Sequence, residues 1–347
     1  MFRNILAGLL ATTLEFAAAS VTNTTAPLFK DALRIENHIN TGTAFDMVTS
    51  LIIGSEAAII VDMPMTVPQA KELAAWIKNT TDKPIVAAFT THFHPDHYLS
   101  AGAVLEEFPG IQYYANSKAV ALIKNEAAQQ VSPFPLSHAL KLIFKVAHWS
   151  AIFGNDAVVQ NTTIPAPYDY TFFTLPGDEN SPIHLLSPLG GDGPDETLFW
   201  IPAIGTLIAG DTVYSASIHI WLADLRTPAL TASWLASLDF IASLAPVKII
   251  PGHALDTNFL AADNWNHTKT YVEFYQERIQ SVPQDTYSPS EITGLLDGAF
   301  PGLLNSSTSA TLLNITAEHF GRGGVKQARY VDLESYDDIK ALDGWKF

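Results

Sequence analysis

Thr90-Thr91-His92-Phe93-His94-Pro95-Asp96-His97 sets three imidazoles and a carboxylate within six residues, directly after the apolar run Ile85 to Thr90, which reads as a β-strand. In an extended turn, residues 92 and 94 can project to one side while 96 and 97 come round to another. One loop can therefore serve two adjacent metals. Imidazole and carboxylate are ligand types that divalent metals favour, and with no cysteine in the chain no thiolate shares the duty. A solvated polar loop is the alternative reading, but three histidines so close together have little structural use.

Upstream, Met47 to Ile53 and Ala57 to Asp62 read as β-rich runs around Gly54-Ser55, and Val67 to Lys78 has helical spacing. Downstream, Leu99 to Phe108 and Ser117 to Gln130 read as helices flanking the short strand Gln112 to Ala115. This alternation of strand and helix is the mark of an α/β fold. From Val131 to Tyr170 the pattern changes to proline-punctuated loops around an amphipathic stretch, Ala139 to Phe153, read as a helical insertion near 131–170 that either lies over the site or packs on the core. Strand-like segments return at Tyr170 to Leu175, Ile183 to Ser187, Thr197 to Ile201 and Thr206 to Ala209, then a helix at Thr231 to Leu244 and a strand at Val247 to Ile250. The second half thus repeats the logic of the first. No short-period repeat or Pro/Ser-rich linker divides the chain, so residues 21–347 are expected to form one catalytic domain, with Asp263 to Ser281 and the C-terminal residues as a helical extension.

The loop at 92–97 resembles the His-X-His-X-Asp-His motif of the metallo-β-lactamase superfamily, and the resemblance spans roughly residues 45 to 260. It implies an αββα four-layer sandwich with the metal site at one edge, where loops of both halves meet. It further implies that His92, His94, Asp96 and His97 are ligands, that Asp211 in Ala209-Gly210-Asp211-Thr212 bridges two metals, and that His253 in Ile250-Pro251-Gly252-His253 is the last ligand. The family's third histidine, usually in a glycine-rich turn before the bridging Asp, is missing. That turn here reads Pro188-Leu189-Gly190-Gly191-Asp192-Gly193-Pro194-Asp195, which makes Asp192 the candidate, with His184 on the preceding strand a weaker one and a purely structural turn aspartate the alternative. Tyr214, His219 and Trp221 follow the bridging Asp in a loop expected to overhang the metals. They are candidates for substrate walls or oxyanion donors, against an equally open reading as packing residues. Asp62, closing a strand, is expected to support the metal loop rather than to bind metal.

A zinc-dependent hydrolase follows as the expected chemistry, with two Zn2+ per chain. Water activated by metal attacks a carbonyl carbon, and Asp96 orients it and passes its proton to the leaving group. The apolar insertion points to small-molecule cyclic esters, a lactonase or esterase, with β-lactam or another amide as the nearest rival. An iron-dependent oxidoreductase of the same fold is a rival of another class, although its two-iron, flavin-partnered members have Glu where His94 stands. A binding protein with a decayed site is a third, opposed by the nearly full ligand set.

Asp and Glu total 35 against 19 Lys and Arg, a net charge of −16 with no basic cluster, which excludes nucleic acid as a natural partner. Residues 1–20 combine Arg3, the apolar run Ile5 to Ala11 and the small residues Ala17-Ala18-Ala19-Ser20, the pattern of a secretory signal peptide. Asn23, Asn79, Asn161, Asn266, Asn305 and Asn314 all stand in Asn-X-Ser/Thr sequons. A secreted, extracellular glycoprotein is expected, with no segment that spans a membrane and a small molecule as substrate.

Overall fold

The computed structural model describes residues 33–42, 45–129, 153–154, 156–159 and 161–326. The leader at 1–20, Asn23 and most of the amphipathic stretch at 139–153 lie outside them.

Two sheets form the centre. The first runs β1 (Arg34–Asn40), β2 (Met47–Ile53), β3 (Ala58–Val61), β4 (Ile85–Phe89), β5 (Gln112–Ala115) and β6 (Ala166–Pro167), in that spatial order. Its first three strands pair antiparallel and β3 to β6 pair parallel. The second has the order β11 (Lys248–Ile250), β10 (Thr206–Ile208), β9 (Glu196–Ile201), β8 (Ile183–Leu189) and β7 (Phe172–Phe173). Here only β10 and β11 are parallel.

Side-chain alternation explains the layering. Successive residues of a strand face opposite ways, and here both faces are covered, so the strands carry apolar residues on both. Leu51, Ile60 and Ala88 point to one core with α1 (Val67–Thr80), α2 (Ala101–Leu105) and α3 (Ser117–Gln129). Their neighbours Ile52, Ile59 and Phe89 point the other way, into a core shared with Phe199, Ile201, Ile208 and Ile250 of the second sheet. The rings of Phe89 and Phe199 meet edge to face at 5.5 Å across that interface. Leu198, Leu207 and Ile249 face a third core with α4 (Pro228–Leu244), α5 (Ala261–Tyr275), α6 (Pro289–Ala299) and α7 (Ser307–Phe320). The result is the αββα sandwich. Each fully buried Leu, Ile or Phe contributes about 1.5–3 kcal/mol relative to exposure.

Several elements depart from the sequence reading for local reasons. Only Ala101–Leu105 of the expected helix over 99–108 is helical, because the N–H groups of Leu99 and Ser100 are bonded to the carbonyls of Pro95 and Pro64 and so belong to the metal loop. The strand expected at 170–175 shrinks to an edge pair, with Tyr170 74% exposed. α4 begins three residues before the expected Thr231, since Thr227 caps it by accepting from Leu230 N–H and Pro228 suits the first turn. Strand β1 has no counterpart in the sequence reading. Its Ile35 and Ile39 alternate onto the inter-sheet core while the ring of His38 lies tilted against that of Trp76 of α1 at 5.2 Å.

Among the described residues, no helix is long and apolar enough to cross a membrane.

Candidate metal centre

The two sheets are stitched together at one edge, and the chemistry sits there. Val48 N–H donates to Gly252 O, Ala254 N–H to Asp46 O, and Thr197 N–H to Thr91 O. The 92–97 loop leaves the end of β4, Asp192 lies in the β8–β9 connection, Asp211 follows β10, and His253 follows β11. Backbone shape makes room for them. A Cβ on Gly252 would lie 1.8 Å from Asp211 Oδ1, and Gly210 takes φ +50°, a left-handed conformation that L side chains rarely adopt.

Two ligand groups result: His92, His94, Asp192 and Asp211 in one, Asp96, His97 and His253 in the other, each with donor atoms within 4.8 Å of one another. His94 Nδ1 is 3.2 Å from Asp192 Oδ2 and His92 Nε2 is 3.9 Å from both Asp192 Oδ1 and Asp211 Oδ2. His253 Nε2 lies 3.3 Å from Asp96 Oδ2 and 3.3 Å from His97 Nε2. Asp211 borders both groups, 3.3 Å from His97 Nε2 and 3.1 Å from His253 Nε2.

Each imidazole is held from behind. His92 Nδ1 meets Thr91 Oγ1 at 2.9 Å, His94 Nε2 meets Asp224 Oδ2 at 3.0 Å, His97 Nδ1 meets Asp62 Oδ2 at 3.0 Å, and His253 Nδ1 meets the Phe45 carbonyl at 2.7 Å. An outer acceptor fixes the proton on the outer nitrogen of His94, His97 and His253 and leaves the inner lone pair free for a cation. Asp62 plays the supporting part expected of it, also accepting from Thr91 N–H at 2.8 Å.

The inner atoms fit a divalent metal. His92 Nε2, Asp192 Oδ1 and Asp211 Oδ1 are buried without a hydrogen-bond partner, as are both carboxylate oxygens of Asp195 and of Glu196. Glu196 is fully buried and 3.5 Å from His92 Nδ1. Burial, reinforced by neighbouring carboxylates, pushes the Asp192 and Asp195 carboxyls up to about 7 and that of Glu196 well above its ordinary range. Burial raises Asp211 as well, but His253 and His97 outweigh it and hold that carboxyl well below the usual range. His94 is opposed by burial yet lifted well above its ordinary value by Asp192 and Asp224. Such crowding of acceptors is what a bound dication relieves.

The structure brings all seven expected ligands into the two groups, with Asp192 in the place left open. His184 sits half-buried on β8, opposite Phe172 and Trp200, and belongs to neither group. Tyr214 reaches the centre: its hydroxyl is 2.8 Å from Asp192 Oδ2 and 2.8 Å from Asp211 Oδ2. A phenol has one proton, so it can donate to only one of them at a time. His219, expected beside the metals, stands in neither ligand group. It is fully buried against the C-terminal helices, with Nδ1 2.9 Å from Tyr271 Oη and its backbone N–H donating to Ser309 Oγ. The turn closed by Ile218 N–H on Ser215 O carries the chain into the helical layer. Asp224 and Glu196 are functional candidates that sequence reasoning missed. Glu196 follows the Asp192 turn and so had a local clue, whereas Asp224 lies 130 positions from His94 and had none.

A sequence model of the metallo-beta-lactamase superfamily matches residues 43–253. That is more than half of the chain, and the chain belongs to this superfamily. It is 28% identical over 225 residues to a linear primary-alkylsulfatase from Pseudomonas sp. (strain ATCC 19151), an alignment covering 58% of this chain and 40% of that protein, so the chain spans less than half the length of that relative. Among solved structures, a metallo-beta-lactamase family protein from Thermus thermophilus superposes with a TM-score of 0.53 at 17% identity, covering 82% of this chain and 91% of its own. A metallo-beta-lactamase from Pontibacter korlensis gives a TM-score of 0.44 at 16% identity, over 70% and 94%. The Thermus likeness is one of fold.

Proposed function

We propose that the chain is a secreted, zinc-dependent hydrolase that cleaves small-molecule esters at a two-metal centre. The observation that carries this is the pair of ligand groups, in which buried nitrogens and carboxylate oxygens converge while outer partners hold the imidazoles from behind. His92, His94, Asp192 and Asp211 would hold one ion, and Asp96, His97 and His253 the other, with Asp211 shared. Bound there, zinc supplies Lewis acidity and lowers the pKa of water.

The protein's own groups then have distinct tasks. Side chains of His92, His97, Asp192, Asp211 and His253 are 0–2% exposed, whereas Asp96 is 13% and His94 8%, so solvent and substrate approach from the Asp96 side. Asp96 is therefore the carboxylate placed to take a proton from an incoming water and pass it to the leaving oxygen. Tyr214 ties Asp192 to Asp211 and keeps both aimed inward. Half-buried Trp221, its ring 6.0 Å from that of His94, forms a wall on that side.

For the substrate class, lactones remain the first reading, on the apolar insertion. A second reading, linear primary alkyl sulfates, is favoured by the alkylsulfatase likeness. Acid release in a pH-stat decides between them, with zinc-loaded protein offered lactones, a β-lactam and a linear primary alkyl sulfate, each with and without chelator. Chelator-sensitive turnover of a lactone or a sulfate ester is expected. No acid release from any ester would overturn the hydrolase reading.

Export is supported by the exposure of Asn79, Asn161, Asn266, Asn305 and Asn314, the sequon asparagines among the described residues. Protein secreted by a eukaryotic host should lose mass on endoglycosidase treatment and start after the small residues near Ser20.

A further inference from the structure

We propose that Asp224 is a positioning residue that locks His94 for metal and ties it to Trp221. The inference rests on the metal-centre reading above and extends it to a residue outside the ligand groups.

Asp224 is 1% exposed and lies 13 residues after Asp211, in a stretch held against the C-terminal helices. One of its oxygens, Oδ2, is met by two donors. His94 Nε2 approaches at 3.0 Å, and Trp221 Nε1–H donates at 2.8 Å. Indole nitrogen is only ever a donor, so the oxygen must act as acceptor toward Trp221. A carboxylate oxygen in that role equally favours a proton on His94 Nε2. With that proton held on Nε2, Nδ1 is the nitrogen that can offer its lone pair to a cation, and it is this atom that faces Asp192 at 3.2 Å within the first ligand group.

His94 differs here from its three companions. They turn Nε2 inward, whereas His94 turns Nδ1 inward. Coordination through Nδ1 requires a ring rotated about its Cβ–Cγ bond, and a long-range clamp on Nε2 is what selects that rotation. His94 is also, with Asp96, one of the two ligands nearest solvent, so it has the least packing to hold it. The backbone makes the clamp stiff: Arg226 N–H donates to Asp224 O and Leu225 N–H to Leu222 O, closing tight turns around the carboxylate. Trp221 completes it, since an indole hydrogen-bonded to the same oxygen limits the carboxylate's swing.

The consequence is a division of labour on the substrate side of the centre. Asp224 sets metal affinity at the first ligand group through His94, and Trp221 sets the position of the substrate wall through Asp224. Loss of an outer partner of this kind costs about 10–100-fold in metal affinity.

The experiment is stepwise zinc titration against a chromophoric chelator, with full-length wild type, Asp224→Asn, Asp224→Ala and Trp221→Phe, and far-UV circular dichroism as the folding control. Asp224→Ala is expected to weaken one of the two zinc equivalents about 10–100-fold and leave the other within about threefold. Asp224→Asn keeps an acceptor of the same shape without the charge and should fall between Ala and wild type. Trp221→Phe should hold zinc within about threefold of wild type while raising KM more than it lowers kcat. Cobalt-substituted protein gives a second readout, with the visible bands of one site altered in both Asp224 variants. Folded variants that bind both equivalents as tightly as wild type would overturn the proposal, and Asp224→Asn decides alone if Asp224→Ala does not fold. Wild type that binds no zinc overturns the metal-centre reading first and this inference with it.

Discussion

Asp211 and His219 lie eight residues apart on one stretch of chain, yet they enter two buried polar networks of opposite character. Around His219 the backbone accounts close, and of its ring only Nε2 is left without a hydrogen-bond partner. Ser309 Oγ accepts from His219 N–H, Thr316 Oγ1 from Leu222 N–H, and Thr268 Oγ1 from Tyr214 N–H, so hydroxyls on α5 and α7 satisfy the backbone of the loop. Around Asp211 they do not. Oxygens of Asp192, Asp195, Glu196 and Asp211 are buried with no donor. Buried acceptors without donors cost several times what a satisfied bond gains. The difference separates a network that serves the fold from one arranged for a cation.

The comparison breaks most visibly at its centre. Asp211→Asn should remove the shared ligand, so zinc titration should show both equivalents weakened by more than the roughly 10–100-fold typical of outer partners, with turnover falling in parallel. Gly252→Ala should do comparable damage without replacing a ligand, because the new Cβ falls on Asp211 Oδ1. Overpacking of this kind costs about 1–3 kcal/mol, read as a lower midpoint in urea.

Glu196→Gln sharpens the contrast, because it removes a carboxyl whose ionisation burial and the neighbouring carboxylates oppose, and keeps the shape. In chelated protein the melting temperature should rise, since Glu196 is crowded by Asp192, Asp211 and Asp195, while zinc affinity should fall. Ser309→Ala should behave in the opposite way: the His219 N–H loses its acceptor, stability drops by about 1–3 kcal/mol, and zinc affinity stays within a few-fold.

The smallest effect is a pH dependence within the helical network. Burial lowers the His219 imidazole to about 4, outweighing the opposing pull of Asp297. The folded state therefore holds the neutral ring where an unfolded chain, with its ordinary value near 6.5, already takes a proton. Its contribution is fully present above about pH 6.5 and is lost as pH falls toward 4. Melting curves of wild type and His219→Gln should converge over that window, and a constant gap from pH 7 to 4.5 would show that His219 is not held neutral.

Much of this was legible from the sequence because the physics is local. Apolar β-rich runs located β2, β3, β4 and β9, and the density of ligands in His92 to His97 left little other use for the loop. Asp192 was legible as a candidate through the family resemblance, which expects a ligand in the glycine-rich turn around it. Asp224 was not, because its meaning arises only when a segment 130 positions away folds against His94. His219 misled for the converse reason. Nearness to Asp211 along the chain suggested nearness in space, and one turn between Ser215 and Ile218 sends it elsewhere. β1 escaped notice because its mixed, half-buried residues gain their pattern only from the strand they pair with.

His97 and His253 stand 3.3 Å apart in space and 156 positions apart along the chain. Closing a flexible loop of that length costs about 4–5 kcal/mol of chain entropy beyond a constant term. In a protein with no cysteine, an ion gripped by both halves would act as a removable cross-link. It would give the chain the tethering that disulfides supply elsewhere, and make that tether answer to the concentration of free metal rather than to redox poise.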